Sequence, residues 1–497
     1  MDMLEALRRG AGEGRILMQA GPGPGVTYAE ALTRAGGFAT ALARRGVQPG
    51  DRVAVQVQKV REAIWLYLGC LRAGAVFLPL NPGYTPVETR YFLDDAEVAL
   101  FVADAERVAQ MAAELPPGRC LSLADLTAEA VPGEFDDHPA GPEALAAILY
   151  TSGTTGRSKG VMLSRGNLSS NADTLAQVWA FGPDDVLLHA LPIFHTHGLF
   201  VATNTVLAAG ASMIFLPAFQ PDAVFAALPR ASVMMGVPTF YTRLLADGRL
   251  TRDAVAHVRL FVSGSAPLSA ATHRDWAART GTAILERYGM TETNMNTSNP
   301  HDGERRAGTV GFALPGVELR VTDPVTGAPL PLGEVGLIEV RGPNVFAGYW
   351  RAPEKTAAEF RADGFFMTGD MGRVDGDGYL SIVGRSKDLV ISGGLNVYPA
   401  EVEGALDDLA GIAASAVIGV PHPDLGEAVV AVVIPAPGAM LSEDAIRVAL
   451  RDRLAAFKIP KRVIMVPDLP RNAMGKVQKN VLRSDQAGLF AGAGGAA

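Results

Sequence analysis

The stretch Leu145-Ala146-Ala147-Ile148-Leu149-Tyr150-Thr151-Ser152-Gly153-Thr154-Thr155-Gly156-Arg157-Ser158-Lys159-Gly160 decides how the chain is read. Its first five residues form an apolar run of strand length, which predicts a buried strand. The run then breaks into a loop of hydroxyls and glycines that closes on Lys159. Glycine lets backbone N–H groups come close to a ligand, serine and threonine add donors, and lysine adds charge. Thr151, Ser152, Gly153, Thr154, Thr155, Gly156 and Lys159 are therefore suited to wrap a polyphosphate. The loop is not a Walker A motif, because Lys159 does not follow a glycine and no hydroxyl residue follows it. Taken alone it also fits a plain hairpin.

The flanking sequence has α/β texture. From Tyr28 to Phe101 a helix-like run (Ala29 to Arg45) alternates with apolar runs (Arg52 to Val57, Ala75 to Leu80) separated by glycine and proline. From Asp185 to Val262 the candidate strands are Val186 to Leu188, Met213 to Leu216, Val233 to Met235 and Arg259 to Val262. Parallel sheets covered by helices are expected. From Gly308 to Gly384 strands alternate with Asp-Gly turns, a β-rich subdomain. Beyond Arg385 a helix (Glu401 to Leu409), two strands (Ser415 to Val420, Ala428 to Ile434) and a helix (Ser442 to Ala456) suggest a small α+β unit. The expected organisation is a large N-terminal domain, 1–384, and a small mobile C-terminal domain, 385–497, with a frayed tail after Leu489.

A chain of 497 residues excludes a small binding module, and 48% hydrophobic residues exclude general disorder even though glycine and proline together reach about 18%. With 44 Lys and Arg against 52 Asp and Glu, the net charge of −8 leaves no basic field for a nucleic acid or an anionic membrane. Small molecules are the expected partners. Cys70 and Cys120 lack metal-ligand spacing, and Met1-Asp2-Met3-Leu4-Glu5 lacks the basic-then-apolar order of an export signal, so a cytoplasmic location is expected. Gly198 to Pro221 runs without a charge but reads as helix, turn and strand inside a core rather than a membrane span.

Four more segments follow in order: Tyr288-Gly289-Met290-Thr291-Glu292, Thr368-Gly369-Asp370, Gly384-Arg385-Ser386-Lys387-Asp388 and Pro470-Arg471-Asn472-Ala473-Met474-Gly475-Lys476. Singly, Glu292 is a solvated acid, Asp370 a turn residue and Lys476 a surface charge beside Lys479 and Arg483. As an ordered set with the hydroxyl loop they resemble the adenylate-forming superfamily, which includes acyl-CoA synthetases, luciferases and peptide-synthetase adenylation domains. The resemblance implies that ATP, Mg²⁺ and CoA are used, with Thr291 on the nucleotide phosphate, Glu292 and Thr154 at the magnesium ion, and Asp370 and Arg385 at the ribose. It implies nucleotide contacts from Gly264, Ser265, Ala266, Glu286, Arg287, Tyr288, Gly289 and Met290, and catalytic roles for His195 and Lys476. It also implies a C-terminal domain that rotates about Lys387, withdrawing Lys476 and presenting Ser392, Gly393 and Gly394 as a pantetheine tunnel.

The chemistry asks for such a set. A carboxylate must attack the α-phosphate of ATP while pyrophosphate leaves, so positive charge is needed at both ends, and Lys476 can bridge the two reacting anions. The acyl adenylate is water-sensitive, so the thiol must enter only after pyrophosphate has gone, which a moving domain arranges. Acetylation of Lys476 by a lysine acetyltransferase would remove the charge and switch the enzyme off.

By the same resemblance the acyl pocket is lined by segments around His195 and His197, Val237-Pro238-Thr239, Ser263 to Pro267 and the residues before Tyr288, with Thr203 and Ser265 among the substrate contacts. Arg243 and Arg287 bring charge into this wall. A guanidinium there is costly unless an anion meets it, so the pair points to a short dicarboxylate. The alternative is Arg243 in solvent beside Asp247 and Arg287 paired with Glu286. Pro82 to Glu88, His195 to Phe200, Glu286 to Asn296 and Val417 to Asp424 are similar to malonyl-CoA synthetases, which implies malonate and methylmalonate as substrates. Another short acid, or transfer to a carrier protein, stays open.

Overall fold

The computed structural model describes residues 2–19, 25–151, 158–472 and 475–490. Its main body is built on two largely parallel sheets. In a seven-stranded sheet, Arg52–Gln56, Val76–Pro79, Leu100–Ala103 and Cys120–Ser122 run parallel and are joined through helices such as Arg61–Ala73 and Pro86–Asp95. In a nine-stranded sheet the parallel centre is Leu285–Met290, Leu260–Ser263, Val233–Gly236, Val186–His189 and Ser212–Phe215. All four residues of Leu260–Ser263 are buried, as a strand covered on both faces requires. The expected α/β architecture is present, and the predicted strand over Met213 to Leu216 is displaced by one residue.

The loops after the carboxyl ends of strands from both sheets meet around a cavity of about 380 Å³, lined by Lys59, Asn81, Phe194, Phe219, Val237 and Phe240 among others. Carboxyl ends of parallel strands are where open α/β sheets place ligands, because the loops there are free to diverge. The uncharged stretch of the nine-stranded region folds as a π-turn His197–Thr203, helix Asn204–Ala209 and strand Ser212–Phe215. Among the described residues no helix is long and apolar enough to cross a membrane.

The β-rich region is a four-stranded antiparallel sheet of Glu318–Thr322, Gly336–Arg341, Phe366–Val374 and Leu380–Arg385, and its last pair sets Asp370 directly opposite Arg385. A separate mixed sheet, led by Ile412–His422 and Gly426–Pro435, carries its own apolar clusters with helices Pro399–Asp407, Glu443–Leu450 and Lys479–Gln486. The helix expected over Ser442 to Ala456 stops at Leu450. Ser442 caps its start by accepting from the Ala445 N–H, but after Leu450 the run Arg451-Asp452-Arg453 is exposed and offers no apolar face to bury.

Candidate active site

Thr151 and Lys159 face each other across the hairpin Leu145–Thr151 and Lys159–Ser164. The roles expected of Ser152, Gly153, Thr154, Thr155 and Gly156 fall outside the described residues. Lys159 is held at its free end: its Nζ lies 3.4 Å from Glu359 Oε1 and 4.8 Å from the ring centre of Tyr349. The Tyr349 hydroxyl sits 2.6 Å from Glu359 Oε2 and 3.2 Å from Glu292 Oε1. Glu292 is buried and has no ion pair among the described residues, and burial pushes its carboxyl above the ordinary range. Tyr349 and Glu359 are the residues that sequence reading missed at this end. They belong to no run that marks chemistry, and only folding brings them to Glu292.

No group of three or more acids, histidines or cysteines among the described residues is arranged to hold a metal. At the Tyr349 end of the site the buried carboxylate is that of Glu292. That suits Mg²⁺, which keeps waters and is commonly held by one or two carboxylates together with substrate phosphates.

At the next position along the cleft, Tyr288 donates its hydroxyl to Asp370 Oδ2 at 2.6 Å, and Arg385 Nε lies 3.2 Å from Asp370 Oδ1. Asp370 is thus fixed from two sides with lone pairs to spare for two further donors. Gly289 is required by its surroundings, since a Cβ there would stand 1.8 Å from the Asn294 carbonyl oxygen in the tight hairpin that carries Met290, Thr291 and Glu292. Glu286 is buried with one carboxylate oxygen unpaired, and burial pushes its carboxyl up to about 8.

The deepest charge in the site is Arg287. It is 3% exposed, forms no ion pair with a described residue, and leaves Nε and Nη2 without a hydrogen-bond partner. Burial draws the guanidinium down to about 9. Glu286 does not neutralise it; that carboxylate accepts instead from the Gly308 and Leu268 backbone. Gly264 makes room for Arg287, because a Cβ at that position would lie 2.4 Å from the guanidinium Cζ and Nη1. Beside it, Ser265 adopts a left-handed φ of 69° and sets its hydroxyl 3.1 Å from His197 Nδ1, while His197 Nε2 stays unpaired in the interior. A non-glycine residue in that conformation is strained by about 1 kcal/mol or more, and such strain clusters where side-chain direction matters.

Lys476 reaches the same place from the C-terminal region. Burial lowers its ammonium to about 8, with Arg385 adding to the effect and Asp370 opposing it. His195 is held down to about 4 by burial, then by the charges of Arg287 and Lys476. A Cβ on the neighbouring Gly475 would stand 3.2 Å from the Thr239 side chain. The structure therefore brings together Lys476, His195, His197, Ser265, Arg287, Asp370 and Arg385. Lys387 lies in the turn Ser386–Asp388, and Asp388 is clasped by Arg483. Ser392, Gly393 and Gly394 close the hairpin Val390–Ser392 and Leu395–Val397, whose two glycines take φ of 59° and 78°, a turn that alone demands glycine.

Two of the expected substrate contacts stand apart from the buried charge of the site. Thr203 is fully buried and donates its hydroxyl to the Gly198 carbonyl at 3.1 Å, because the π-turn carries it back over Gly198. Arg243 is exposed on helix Pro238–Leu245 and makes no hydrogen bond or ion pair with a described residue. Its charge is solvated, so the desolvation argument applies to Arg287 alone. Arg243 does lie one helical turn beyond Thr239, the residue that meets Gly475, and so on the side of the helix that borders the cleft. Sequence reading also missed Lys59, which is buried and donates to the His189 carbonyl at 2.7 Å. Through the His189 ring, 2.9 Å from the Gly198 carbonyl oxygen, it steadies the turn that bears His195 and His197.

Gly264→Ala tests the placement of Arg287. The glycine φ is not left-handed, and only the far end of a flexible side chain blocks the new methyl. Thermal stability should move by no more than a few degrees, about 1 kcal/mol, while activity that depends on Arg287 falls about 10-fold or more. Unchanged kinetics with the acid substrate would show that the guanidinium position is immaterial.

The family of AMP-binding enzymes matches residues 9–350, and the AMP-binding enzyme C-terminal domain matches residues 401–476. A feruloyl-CoA synthase from an Amycolatopsis species is 38% identical over 466 residues, covering 93% of this chain and 94% of that protein. A malonate--CoA ligase from Arabidopsis thaliana is 35% identical over 487 residues, covering 88% and 78%. The crystal structure of ATP-bound MatB from Rhodopseudomonas palustris is 55% identical, with a TM-score of 0.93 over 99% of this chain and 100% of that one.

Proposed function

This chain belongs to the AMP-binding enzyme family as an ATP-dependent acyl-CoA ligase, and from that premise we propose that its acid is a short dicarboxylate, with malonate the best fit and methylmalonate next. Overall similarity does not choose the acid, since a feruloyl-CoA synthase and a malonate--CoA ligase are relatives at comparable identity. The observation that carries the proposal is the unpaired Nε–Nη2 edge of a buried Arg287. That edge is the face of a guanidinium that meets a carboxylate bidentately, and a buried cation left without an anion is costly. The aromatic tail of ferulate would bury the charge without pairing it.

The positions of the groups support the following reaction. Arg287 takes the distal carboxylate, with His197 and Ser265 beside it, and so directs the other carboxylate towards Lys476. The Lys476 ammonium lowers the repulsion between that carboxylate and the α-phosphate of ATP, and the lost pyrophosphate leaves on the side of Lys159. Asp370 and Arg385 hold the ribose end. Glu292, with Thr154 of the hydroxyl loop, would hold Mg²⁺, which supplies charge neutralisation on the phosphates. In the second half-reaction the CoA thiol attacks the acyl carbonyl and AMP leaves. The cavity beside Phe194, next to His195, supports a separate approach for the thiol arm. Rotation about Lys387, carrying Ser392, Gly393 and Gly394 to that approach, is part of the same reading.

Measuring CoA- and ATP-dependent AMP release across two- to five-carbon mono- and diacids, with ferulate alongside, tests the choice of acid. Malonate or methylmalonate should exceed propionate in kcat/KM by about 100-fold or more, because a site built around a charge-assisted pair strongly rejects an analogue that lacks it. Equal turnover of propionate or ferulate would contradict it.

A further inference from the structure

Lys159 is paired with a partner that the reaction as written does not use. Its ammonium faces Glu359 Oε1 at 3.4 Å and lies over the Tyr349 ring at 4.8 Å. Tyr349 is tied to the same strand as Lys159, since Gly348–Tyr349 pairs with Lys159–Ser164 and the Trp350 N–H donates to the Gly160 carbonyl at 2.7 Å. Glu359 sits just past the end of helix Pro353–Ala358, with the Met367 N–H donating to its carbonyl, and its carboxylate also receives Tyr349 at 2.6 Å and Lys355 at 3.0 Å. The carboxylate is thus anchored from three directions, and both it and the Lys159 side chain are largely covered. A lysine that grips a phosphate cannot keep its ion pair with a carboxylate at full strength, because the two anions compete for one set of N–H donors and repel each other.

We propose that Glu359 is a resting clasp for Lys159: it holds the lysine when the phosphate site is empty, gives it up to a polyphosphate, and takes it back as pyrophosphate leaves. The clasp lowers affinity for pyrophosphate and so favours its departure before the thiol arrives. Glu359 is a positioning residue in this scheme, acting on the phosphates through Lys159. The inference rests on Lys159 being a phosphate ligand, which the proposed function includes.

The test is calorimetric titration of the full-length enzyme with inorganic pyrophosphate in the presence of magnesium, for the wild type, Glu359→Gln, Lys159→Ala and the double variant. Glutamine keeps the shape and can still accept from Tyr349, and a thermal melt checks that the variant folds. Glu359→Gln should tighten pyrophosphate by about 3- to 10-fold, the scale of coupling between groups in direct contact. Mere damage to the site would weaken it. In the Lys159→Ala background the same substitution should change affinity by less than about 2-fold, because the clasp then has nothing to release. Unchanged or weaker pyrophosphate binding in Glu359→Gln overturns the clasp, and so does an equal gain with and without Lys159, which would mark a general field of the carboxylate. Lys159→Ala binding pyrophosphate as well as the wild type would instead show that Lys159 is not a phosphate ligand, a separate failure.

Discussion

Lys476→Ala should reduce acyl-adenylate formation by about 10²- to 10³-fold, the usual loss when one preorganised donor is removed from a site where charge develops. The same variant should turn a supplied acyl adenylate and CoA into thioester at close to the wild-type rate, since the lysine's charge is needed only while two anions meet. Pyrophosphate exchange reports the first half-reaction and single-turnover thioester formation the second; equal loss in both would reject the role. A pH profile gives an independent check. The Lys476 ammonium is drawn down to about 8 by burial and then by Arg385. Only the protonated form carries the charge, so that form is complete well below this value and is lost as pH rises through it. For the adenylation step kcat/KM, which reports the free enzyme, should therefore fall above about pH 8, and the fall should be absent from thioester formation.

Arg287→Met should lower kcat/KM for malonate by about 10- to 150-fold for each charge-assisted hydrogen bond lost, with ATP affinity left nearly unchanged. Propionate should improve relative to malonate, because a methyl tail no longer strands a buried cation. The ligand-free protein should at the same time become more stable, by about 1 kcal/mol or more, since a buried charge without a partner is replaced by an apolar side chain of similar length. Activity and thermal stability would thus move in opposite directions. A variant that keeps the native preference for malonate over propionate would remove Arg287 from the account of specificity.

The parts of this enzyme that were legible before folding are those whose meaning is local. Apolar runs of strand length between glycine and proline marked the parallel strands, and the segments at Tyr288, Asp370, Arg385 and Lys476 stood out as consecutive residues whose types suit the proposed chemistry. The structure gathers these into one cleft. What stayed hidden depends on contacts between distant residues. Gly264 reads as a loop glycine until Arg287 is seen lying on it. Tyr349 and Glu359 acquire meaning only because one strand lies against Lys159 and one helix ends beside it. Burial was the other blind spot. As sequence, Arg243 and Arg287 are equivalent charges in a pocket wall, yet one is solvated and the other sealed, and the cost of an unmet charge falls on the sealed one.

The most direct test of the central claim is the structure of this enzyme with ATP and malonate, or with a non-hydrolysable malonyl adenylate, bound. The account predicts one malonate carboxylate paired to Nε and Nη2 of Arg287 within hydrogen-bonding distance, with His197 and Ser265 alongside and the other carboxylate beside Lys476 and the α-phosphate. A distal carboxylate bound away from Arg287, with the Nε–Nη2 edge still unpaired, would contradict it.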